Sequence, residues 1–314
     1  MVDLVCCGAI NWDINLFLDS LPRTGEEVRV KEIQKVSGGT AANVSVAAAR
    51  ILGPDRVAFI GALGSDDIAE RQLAILGEEG VDTSGVLKVA DKGSGQAYIT
   101  IGAMGENEIH TYFGANLCLM PQSLSDPERL RLLKEAKVAV IMDPPLETAE
   151  HMAKLCRADK ITVIWDPGVY ADLKFEAMAP TFRSVDYFVL NHLEFENLLG
   201  SSEPRQIVAE LGSIKRGITV IVKMGKEGCT LCREGATIHM EAVPLDRLGL
   251  DVVNTVGCGD AFIGAFAAAI VEGIDDVEAL RRGCAAGSFK VTRKETRGGP
   301  TLKQLQEILC RWEE

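Results

Sequence analysis

The chain has 314 residues and a formal net charge of −12 at pH 7, with 33 lysines and arginines against 45 aspartates and glutamates. This acidic balance, without a basic block, disfavours a nucleic-acid partner. No apolar run reaches the roughly 18 residues of a membrane span, so no membrane partner is expected. The chain start lacks a signal-peptide pattern, and the nine cysteines form no regular framework. We therefore expect a cytoplasmic protein with free thiols.

The first elements in chain order are a short apolar strand at residues 2–7 and the segment GAINWDINLF. In an extended strand Asn11 and Asp13 lie on one face, where they can hold neighbouring hydroxyl groups. A turn with two Asx residues is the alternative for this segment. Residues 27–36 alternate polar and apolar side chains, which predicts a half-exposed strand.

A double glycine, Gly38 and Gly39, leads into a helix of small residues that ends near Gly53. Glycines at a helix start let a ligand approach the backbone, and Asn43 in the first turn reaches the same place. Further on, residues 93–116 contain two alternating runs joined by AMGENE, the pattern of a hairpin. With residues 11–36 they supply about four strands for a separate small sheet.

From residue 137 onward apolar strands alternate with helices, which predicts a parallel sheet covered on both faces. Ligands bind beyond the carboxyl ends of such strands, where Asp143, Asp166, Asn191 and Gly225 fall. Asn191 and Glu194 are three residues apart at a helix start, and a capping box is the alternative to a functional role for this pair. The lone pair Cys229 and Cys232 lies on a predicted strand, so the two side chains face opposite sides and do not form a metal site.

The stretch NTVGCGD, residues 254–260, runs directly into the apolar segment AFIGAFAAAIVEG. Glycines on either side of Cys258 free backbone N–H groups to point at one place, and the dipole of the following helix favours an anion there. Asp260 at the mouth of this site is either a cap or a base. A glycine-rich turn with a capping aspartate is the alternative without chemistry.

Taken together, GAINWD, SGGTAANVSVAAARILG, GALGSDD, NHLEFE, VKMGKEG and NTVGCGDAFIGAF resemble, in order and spacing, the ribokinase-like or PfkB family of carbohydrate and nucleoside kinases. The resemblance spans essentially the whole chain. It implies one α/β domain over residues 1–314 with a mostly parallel central sheet. It also implies a small β lid formed by two insertions, at about residues 11–36 and 94–115.

The resemblance implies Mg²⁺-dependent phosphoryl transfer from ATP to a hydroxymethyl group. Such a reaction needs alignment, charge neutralisation and one proton acceptor. By resemblance, Asp260 is the general base, and the anion hole for the transferred group is formed by Gly257, Cys258 and Gly259. Asn191 and Glu194 match a motif that positions Mg²⁺ largely through water.

The resemblance also assigns two sets of binding residues. The positions that match the family's acceptor site are Asn11, Asp13, Gly38, Gly39 and Asn43, with Asp166 as a weaker candidate for the cleft wall. The positions that border the nucleotide are Asn191, Lys223, Gly225, Gly228 and Thr255. Ala97, Ile99 and Tyr112 either cover the substrate from the lid or belong to the core of the hairpin.

The chain departs from the family pattern D-T-x-G-A-G-D at Asn254 and Cys258. The first aspartate of that pattern often supports a monovalent cation beside the anion hole. An amide keeps an oxygen ligand but lacks the charge, so Asn254 puts activation by potassium in doubt. Cys258 is expected to contribute its backbone rather than its thiol.

The acceptor class stays open at this stage. The segments GGTAAN, FGAN and DPG are more similar to nucleoside and ribose kinases than to sugar-phosphate kinases, and Thr40 supplies no cation for a phosphorylated sugar. A sugar-phosphate acceptor such as ribose 1-phosphate or fructose 6-phosphate is the alternative, and ADP is an alternative donor. A non-catalytic binding homologue is a third reading, supported by Asn254 alone. A homodimer through the lid is a further hypothesis, because exposed sheet edges invite pairing.

Overall fold

The computed structural model describes residues 1–104 and 106–313. Its strands are β1 (Leu4–Gly8), β2 (Asn11–Phe17), β3 (Glu32–Gly38), β4 (Val57–Ile60), β5 (Ala62–Gly64), β6 (Val81–Asp82), β7 (Leu87–Val89), β8 (Gly95–Ile101), β9 (Asn107–Tyr112), β10 (Val138–Met142), β11 (Thr162–Asp166), β12 (Tyr187–Asn191), β13 (Thr219–Lys223), β14 (Cys229–Arg233) and β15 (Ala236–Met240). Its α-helices are α1 (Thr40–Leu52), α2 (Asp67–Glu78), α3 (Pro127–Glu135), α4 (Leu146–Ala158), α5 (Phe175–Phe182), α6 (His192–Leu199), α7 (Pro204–Gly212), α8 (Cys258–Val271), α9 (Asp276–Val291) and α10 (Leu302–Glu313).

The central sheet has nine strands in the order β15-β14-β13-β12-β11-β10-β1-β4-β6. Its parallel strands are β13, β12, β11, β10, β1, β4 and β6. Strands β14 and β15 continue the sheet in antiparallel pairing. The predicted α/β class with a mostly parallel sheet is therefore confirmed. The carboxyl ends of β1, β10, β11, β12 and β13 meet at one edge of this sheet.

Both faces of the central sheet are buried, because side chains alternate along each strand. Leu4 and Cys6 of β1 face one apolar cluster, which includes α1, α8 and α9. Val5 and Cys7 face the other, which includes α4 and α5. This two-sided burial explains why β1 and β10 read as continuous apolar runs.

Helices α1 and α8 pack closely on one face of the sheet through small side chains. A Cβ on Gly264 of α8 would lie only 2.6 Å from the Cβ of Ala47 on α1. Helices approach this closely only where small residues meet. As a result, the two glycine-bearing helix starts lie side by side.

The small second sheet has four strands in the order β3-β2-β8-β9. Strand β2 pairs antiparallel with β3 and parallel with β8, and β8 and β9 form the predicted hairpin. The predicted strand at 27–36 is wrong at its start, because β2 ends at Phe17, which pairs with Glu32. Residues 27–31 thus lie beyond the end of the ladder. Within the predicted loop AMGENE, Gly105 lies outside the described residues.

Over the described part of the chain, no helix combines the length and the apolar composition that crossing a membrane requires. Helix α8 is the most apolar of the buried helices near the site, and it has 14 residues. Its apolar side chains pack against α1, α9 and the central sheet.

Candidate active site

The starts of α1 and α8 meet through a hydrogen bond between Asn43 and Asp260. The Asn43 amide Nδ2 donates to Asp260 Oδ2 at 2.7 Å, although the two residues are 217 positions apart in the chain. Asp260 lies in the first turn of α8, but the cap position belongs to Gly257, which makes no side-chain cap bond. The interpretation of Asp260 as a cap is therefore wrong, and its carboxylate faces the cleft between the two helices.

The environment of Asp260 shifts its carboxyl pKa upward. Desolvation raises this pKa to about 6, against the hydrogen bond from Asn43 and the positive charge of Lys223, which both lower it. The charge of Asp166 raises it further, and that of Arg297 lowers it. A carboxyl group in this range accepts a proton near neutral pH more readily than an ordinary aspartate.

If Asp260 is the general base that the resemblance implies, activity should fall as the pH drops through this pKa. Asp260 accepts a proton only when ionised, so we expect kcat/KM to be constant well above pH 6 and to fall below it. Because the Asn43 bond lowers the pKa of Asp260, Asn43→Ala should move the acidic limb of the profile upward. The measurement is kcat/KM against pH at saturating nucleotide, and a limb that does not move in the variant would contradict the assigned contact.

The loop before α8 and the first turn of this helix contain Gly257 and Gly259, two of the residues predicted to form an anion hole. Gly257 has a φ of 84°, in the left-handed region, and a Cβ there would lie 2.3 Å from the carbonyl oxygen of Thr296. A Cβ on Gly259 would meet only the Nζ of Lys223, at 3.3 Å. Only glycine fits at 257, whereas position 259 is open toward the cleft, where backbone and helix dipole favour an anion.

Alanine substitutions at Gly257 and Gly259 should therefore differ in their effect on stability. Gly257→Ala should lower the free energy of unfolding by about 2 kcal/mol or more, because it combines a strained φ with a backbone clash. Gly259→Ala should cost less than about 1 kcal/mol, because at 3.3 Å the Lys223 ammonium group needs to move only slightly to accommodate a Cβ. Urea unfolding of both variants tests this, and equal losses would contradict the geometry of the loop.

An ion pair lines the cleft beside Asp260. Lys223 Nζ lies 2.8 Å from Asp166 Oδ2, and the Asp166 side chain is 4% exposed. Burial lowers the pKa of Lys223, but the charges of Asp166 and Glu194 raise it, and the net shift is upward. Lys223 therefore stays protonated at neutral pH and contributes a positive charge to the site. A Cβ on Gly259 would approach the same Nζ, so this charge lies next to Gly259.

Asn191 and Glu194 form a capping box at the start of α6. Asn191 Oδ1 accepts from the Glu194 backbone N–H at 2.9 Å, and Glu194 Oε2 accepts from the Asn191 backbone N–H at 2.8 Å. Asn191 also pairs with Lys223 between β12 and β13. Burial, then the charge of Asp166, raises the pKa of Glu194. The cap uses one carboxylate oxygen, Oε2.

The residues predicted to bind the acceptor lie on β2, at the end of β3 and at the start of α1. Asp13 is 5% exposed, and burial raises its pKa to about 7. A Cβ on Gly38 would lie 2.1 Å from Asp13 Oδ2, so glycine is required for this close approach. Gly39 caps α1 with a φ of 92°. The side chain of Asn11 is held by Asn116, whose Nδ2 donates to Asn11 Oδ1 at 2.9 Å.

Asp143, directly after β10, is another buried carboxyl group. Its φ of 57° is left-handed, and its oxygens accept from Thr40 Oγ1 at 2.6 Å and from the Val169 N–H at 2.7 Å. Burial raises its pKa to about 7. The strand-end pattern located Asp143, but its contact with Thr40 follows only from the packing of α1.

Arg297 contacts the predicted site residues, although no sequence pattern pointed to it. Its Nε donates to Asn43 Oδ1 at 2.8 Å, its Nη2 to the Gly38 carbonyl at 2.8 Å, and its Nη1 to Ser37 Oγ. It therefore fixes the orientation in which Asn43 donates to Asp260. No motif includes Arg297, which is 254 positions from Asn43, so the sequence offered no signal for it.

A cleft of about 840 Å³ lies beside the start of α8. Its lining includes most of the predicted nucleotide-binding residues together with two of the anion-hole residues: Lys223, Gly225, Gly228, Thr255, Cys258 and Gly259. Asn191, Glu194 and Gly257 do not line it, although Asn191 neighbours Lys223. Of the small-sheet residues, Ala97 and Ile99 are buried, Ala97 pairs with Asp13, and Tyr112 is 48% exposed.

The three-layer α/β fold and this cleft define a class of protein that the comparisons identify. A family model described as pfkB family carbohydrate kinase matches residues 1–303. The chain belongs to the pfkB family of carbohydrate kinases. It is accordingly a phosphotransferase with an alcohol group as acceptor, and the expected family and enzyme class are confirmed.

Individual relatives cover the chain from end to end. A ribokinase of Bacillus subtilis (strain 168) is 30% identical over 311 residues, which are 98% of this chain and 100% of that protein. An ATP-dependent ribose-1-phosphate kinase of Halopiger xanaduensis is 28% identical over 311 residues, 98% of each chain. The structure of Arabidopsis thaliana ribokinase complexed with ribose and ATP has a TM-score of 0.87 at 29% identity, covering 98% of this chain and 99% of that one.

Proposed function

We propose that this kinase transfers the γ-phosphate of ATP to a hydroxymethyl group of an unphosphorylated ribose-type sugar or nucleoside. The observation that carries the proposal is the junction of Asn43 with Asp260 between an acidic acceptor pocket and the anion hole. The named ligands of the Arabidopsis relative, ribose and ATP, agree with it.

Each residue has a role that its position supports. Asp260 takes the proton of the attacking hydroxyl, and the backbone of Gly257, Cys258 and Gly259 receives the transferred phosphoryl group. Lys223 provides a positive charge beside it. Glu194 retains a carboxylate oxygen beyond its cap bond, which fits a water-mediated Mg²⁺; when bound, Mg²⁺ neutralises phosphate charge.

The charges around the acceptor pocket favour a neutral acceptor. Asp13, Asp143 and Asp260 face this region, and burial raises the pKa of all three because their negative charges are poorly solvated. A phosphate dianion beside them would add repulsion. Arg297, the nearby cation, already donates from all three nitrogens to protein oxygens. Asn11 and Asp13 instead suit the hydroxyl groups of a sugar.

A phosphorylated acceptor is the second candidate, because one relative is named as an ATP-dependent ribose-1-phosphate kinase. This candidate requires Arg297 or Lys223 to exchange a protein contact for phosphate. ADP as donor remains the alternative for the nucleotide site.

The small sheet is proposed as the lid over the acceptor, since Ala97 of β8 lies beside Asp13 of β2. A homodimer through this sheet is a further prediction, because apolar side chains such as Ile33 and Ile109 are more than half exposed on its edge strands β3 and β9. Analytical ultracentrifugation of the wild type and of Ile109→Lys tests the dimer.

The experiment that tests the proposed function is Mg²⁺-dependent phosphoryl transfer from ATP, and separately from ADP, to a panel of acceptors. The panel contains ribose, fructose, nucleosides, ribose 1-phosphate and fructose 6-phosphate. We expect the highest kcat/KM with ATP and a neutral ribose-type acceptor. A preference for a sugar phosphate would favour the second candidate, and saturable binding without turnover on any acceptor would favour a non-catalytic homologue.

A further inference from the structure

Lys290 is a fully buried lysine that the proposed reaction does not use. It lies in the last turn of α9, behind the loop that leads to the anion hole, and its exposure is 0%. A buried ammonium group is costly unless it is paired or hydrogen-bonded. Its contacts therefore indicate what it is for.

The ammonium group of Lys290 binds the backbone of Asn254. Its Nζ donates to the Asn254 carbonyl oxygen at 2.9 Å. The N–H groups of Val253 and Asn254 donate in turn to the Val291 carbonyl at 2.8 and 3.0 Å. The end of α9 thus holds the start of the anion-hole loop at three points, one of which carries a positive charge.

The side chain of Asn254 forms a hydrogen bond with a second backbone carbonyl group. Its Oδ1 accepts from the Val256 N–H at 3.0 Å, and its Nδ2 donates to the Lys294 carbonyl at 2.8 Å. Because a backbone N–H only donates, the Val256 N–H must face the amide oxygen Oδ1, and the amide nitrogen Nδ2 then faces the Lys294 carbonyl. An aspartate at this position would accept from Val256 but would leave the Lys294 carbonyl free.

These contacts do not fit a monovalent metal ion, which the resemblance associates with this position. Alkali and alkaline-earth ions are bound by carboxylate and carbonyl oxygens. Here the carboxylate is replaced by a neutral amide, and the carbonyls of Asn254 and Lys294 already accept from protein N–H groups. A metal cation would also be repelled by the ammonium group of Lys290.

We propose that the ammonium group of Lys290 takes the place of a monovalent cation behind the anion hole, so that this kinase works without potassium. The inference rests on the proposed function of the loop. Asp260 and Glu295 are negative groups near Lys290, and Cys258 also lies close. The net shift of the Lys290 pKa is downward, because burial lowers it by more than these three groups raise it. The fixed cation holds the loop and balances negative charge without any ion exchange with solvent.

The first test is cation binding to the wild-type protein, which needs neither turnover nor a known acceptor. Thermal unfolding is followed in potassium chloride and in choline chloride at equal ionic strength. We expect the Tm to differ by less than about 1 °C, because an ion that binds the folded state raises Tm through mass action. A saturable increase of several degrees specific to potassium would overturn the proposal, whether or not the chain phosphorylates any substrate.

The second test reconstructs the cation site in the variant Asn254→Asp/Lys290→Met. This change supplies a carboxylate, frees both carbonyls and removes the ammonium group. We expect kcat without potassium to fall at least about tenfold, and potassium to restore it and raise Tm. Lys303→Met on the exposed face of α10 is the matched control and should behave like the wild type. A folded double variant whose Tm and kcat do not change when potassium is added would contradict the proposal.

Activity in the same buffers separates the two hypotheses. If the wild type shows no potassium effect on Tm and no turnover on any acceptor, the proposed function fails while the cation inference stands. If it turns over and potassium raises kcat several-fold, the proposed function stands and the inference fails.

Discussion

Asp260→Asn should lower kcat by about three orders of magnitude while the protein stays folded, because a general base contributes roughly 10²–10⁴ in rate. Asparagine has nearly the same shape and keeps an oxygen that can accept from Asn43, so the contact between α1 and α8 is preserved. It cannot accept the proton of the attacking hydroxyl. The loss should therefore appear in kcat, with a smaller change in the KM for nucleotide, because Asp260 does not line the proposed nucleotide cleft.

The measurement is steady-state phosphoryl transfer with the best acceptor of the panel, together with nucleotide binding by calorimetry. Asp251→Asn, an exposed aspartate a few residues before the loop, is the matched control and should retain full kcat. If Asp260→Asn retained wild-type kcat, the proton would have to leave by another route, and the assignment of the base would be wrong.

Arg297→Met should produce the second-largest effect, on stability and on kcat together. The substitution leaves Asn43 Oδ1, Ser37 Oγ and the Gly38 carbonyl without their donor, and it removes a positive charge near Asp13. Unsatisfied polar groups and lost charge compensation in such a network cost about 2–4 kcal/mol of unfolding free energy. Since Asn43 then loses the bond that orients it, kcat should fall by about tenfold to a hundredfold.

Urea unfolding and the pH profile of kcat/KM measure the two effects. The positive charge of Arg297 lowers the pKa of Asp260, so the acidic limb should move to higher pH in the variant. A purely structural role would lower stability without moving this limb. Arg247→Met, at an exposed arginine, is the matched control and should change stability by less than about 0.5 kcal/mol.

The architecture could be predicted where local patterns carry it. The apolar strands between residues 137 and 225 alternate with helices, and the parallel sheet follows because both of its faces must be covered. The start of β3 could not be predicted in the same way. The alternation of residues 27–31 resembles a strand, but whether they pair depends on where the partner strand ends.

The pair Asn191 and Glu194 fits two roles, a helix capping box and the proposed positioning of Mg²⁺. The capping box forms as the spacing allows, and it satisfies backbone groups at the start of α6. The same bonds leave one carboxylate oxygen near the ion pair of Asp166 and Lys223. The capping box and the proposed Mg²⁺ role are therefore compatible. Titration of Mg²⁺ into the wild type and into Glu194→Gln tests whether Glu194 has the second role.

By itself the sequence indicated glycine-bearing helix starts near Gly39 and Gly257 and acidic residues at the strand ends, because each of these patterns lies within a few consecutive residues. The tertiary structure decided which side chains meet. The contacts of Arg297 with Asn43, of Asn43 with Asp260 and of Lys290 with Asn254 join residues 254, 217 and 36 positions apart. Such contacts depend on how α1, α8 and α9 pack across the sheet, and no local pattern encodes that packing.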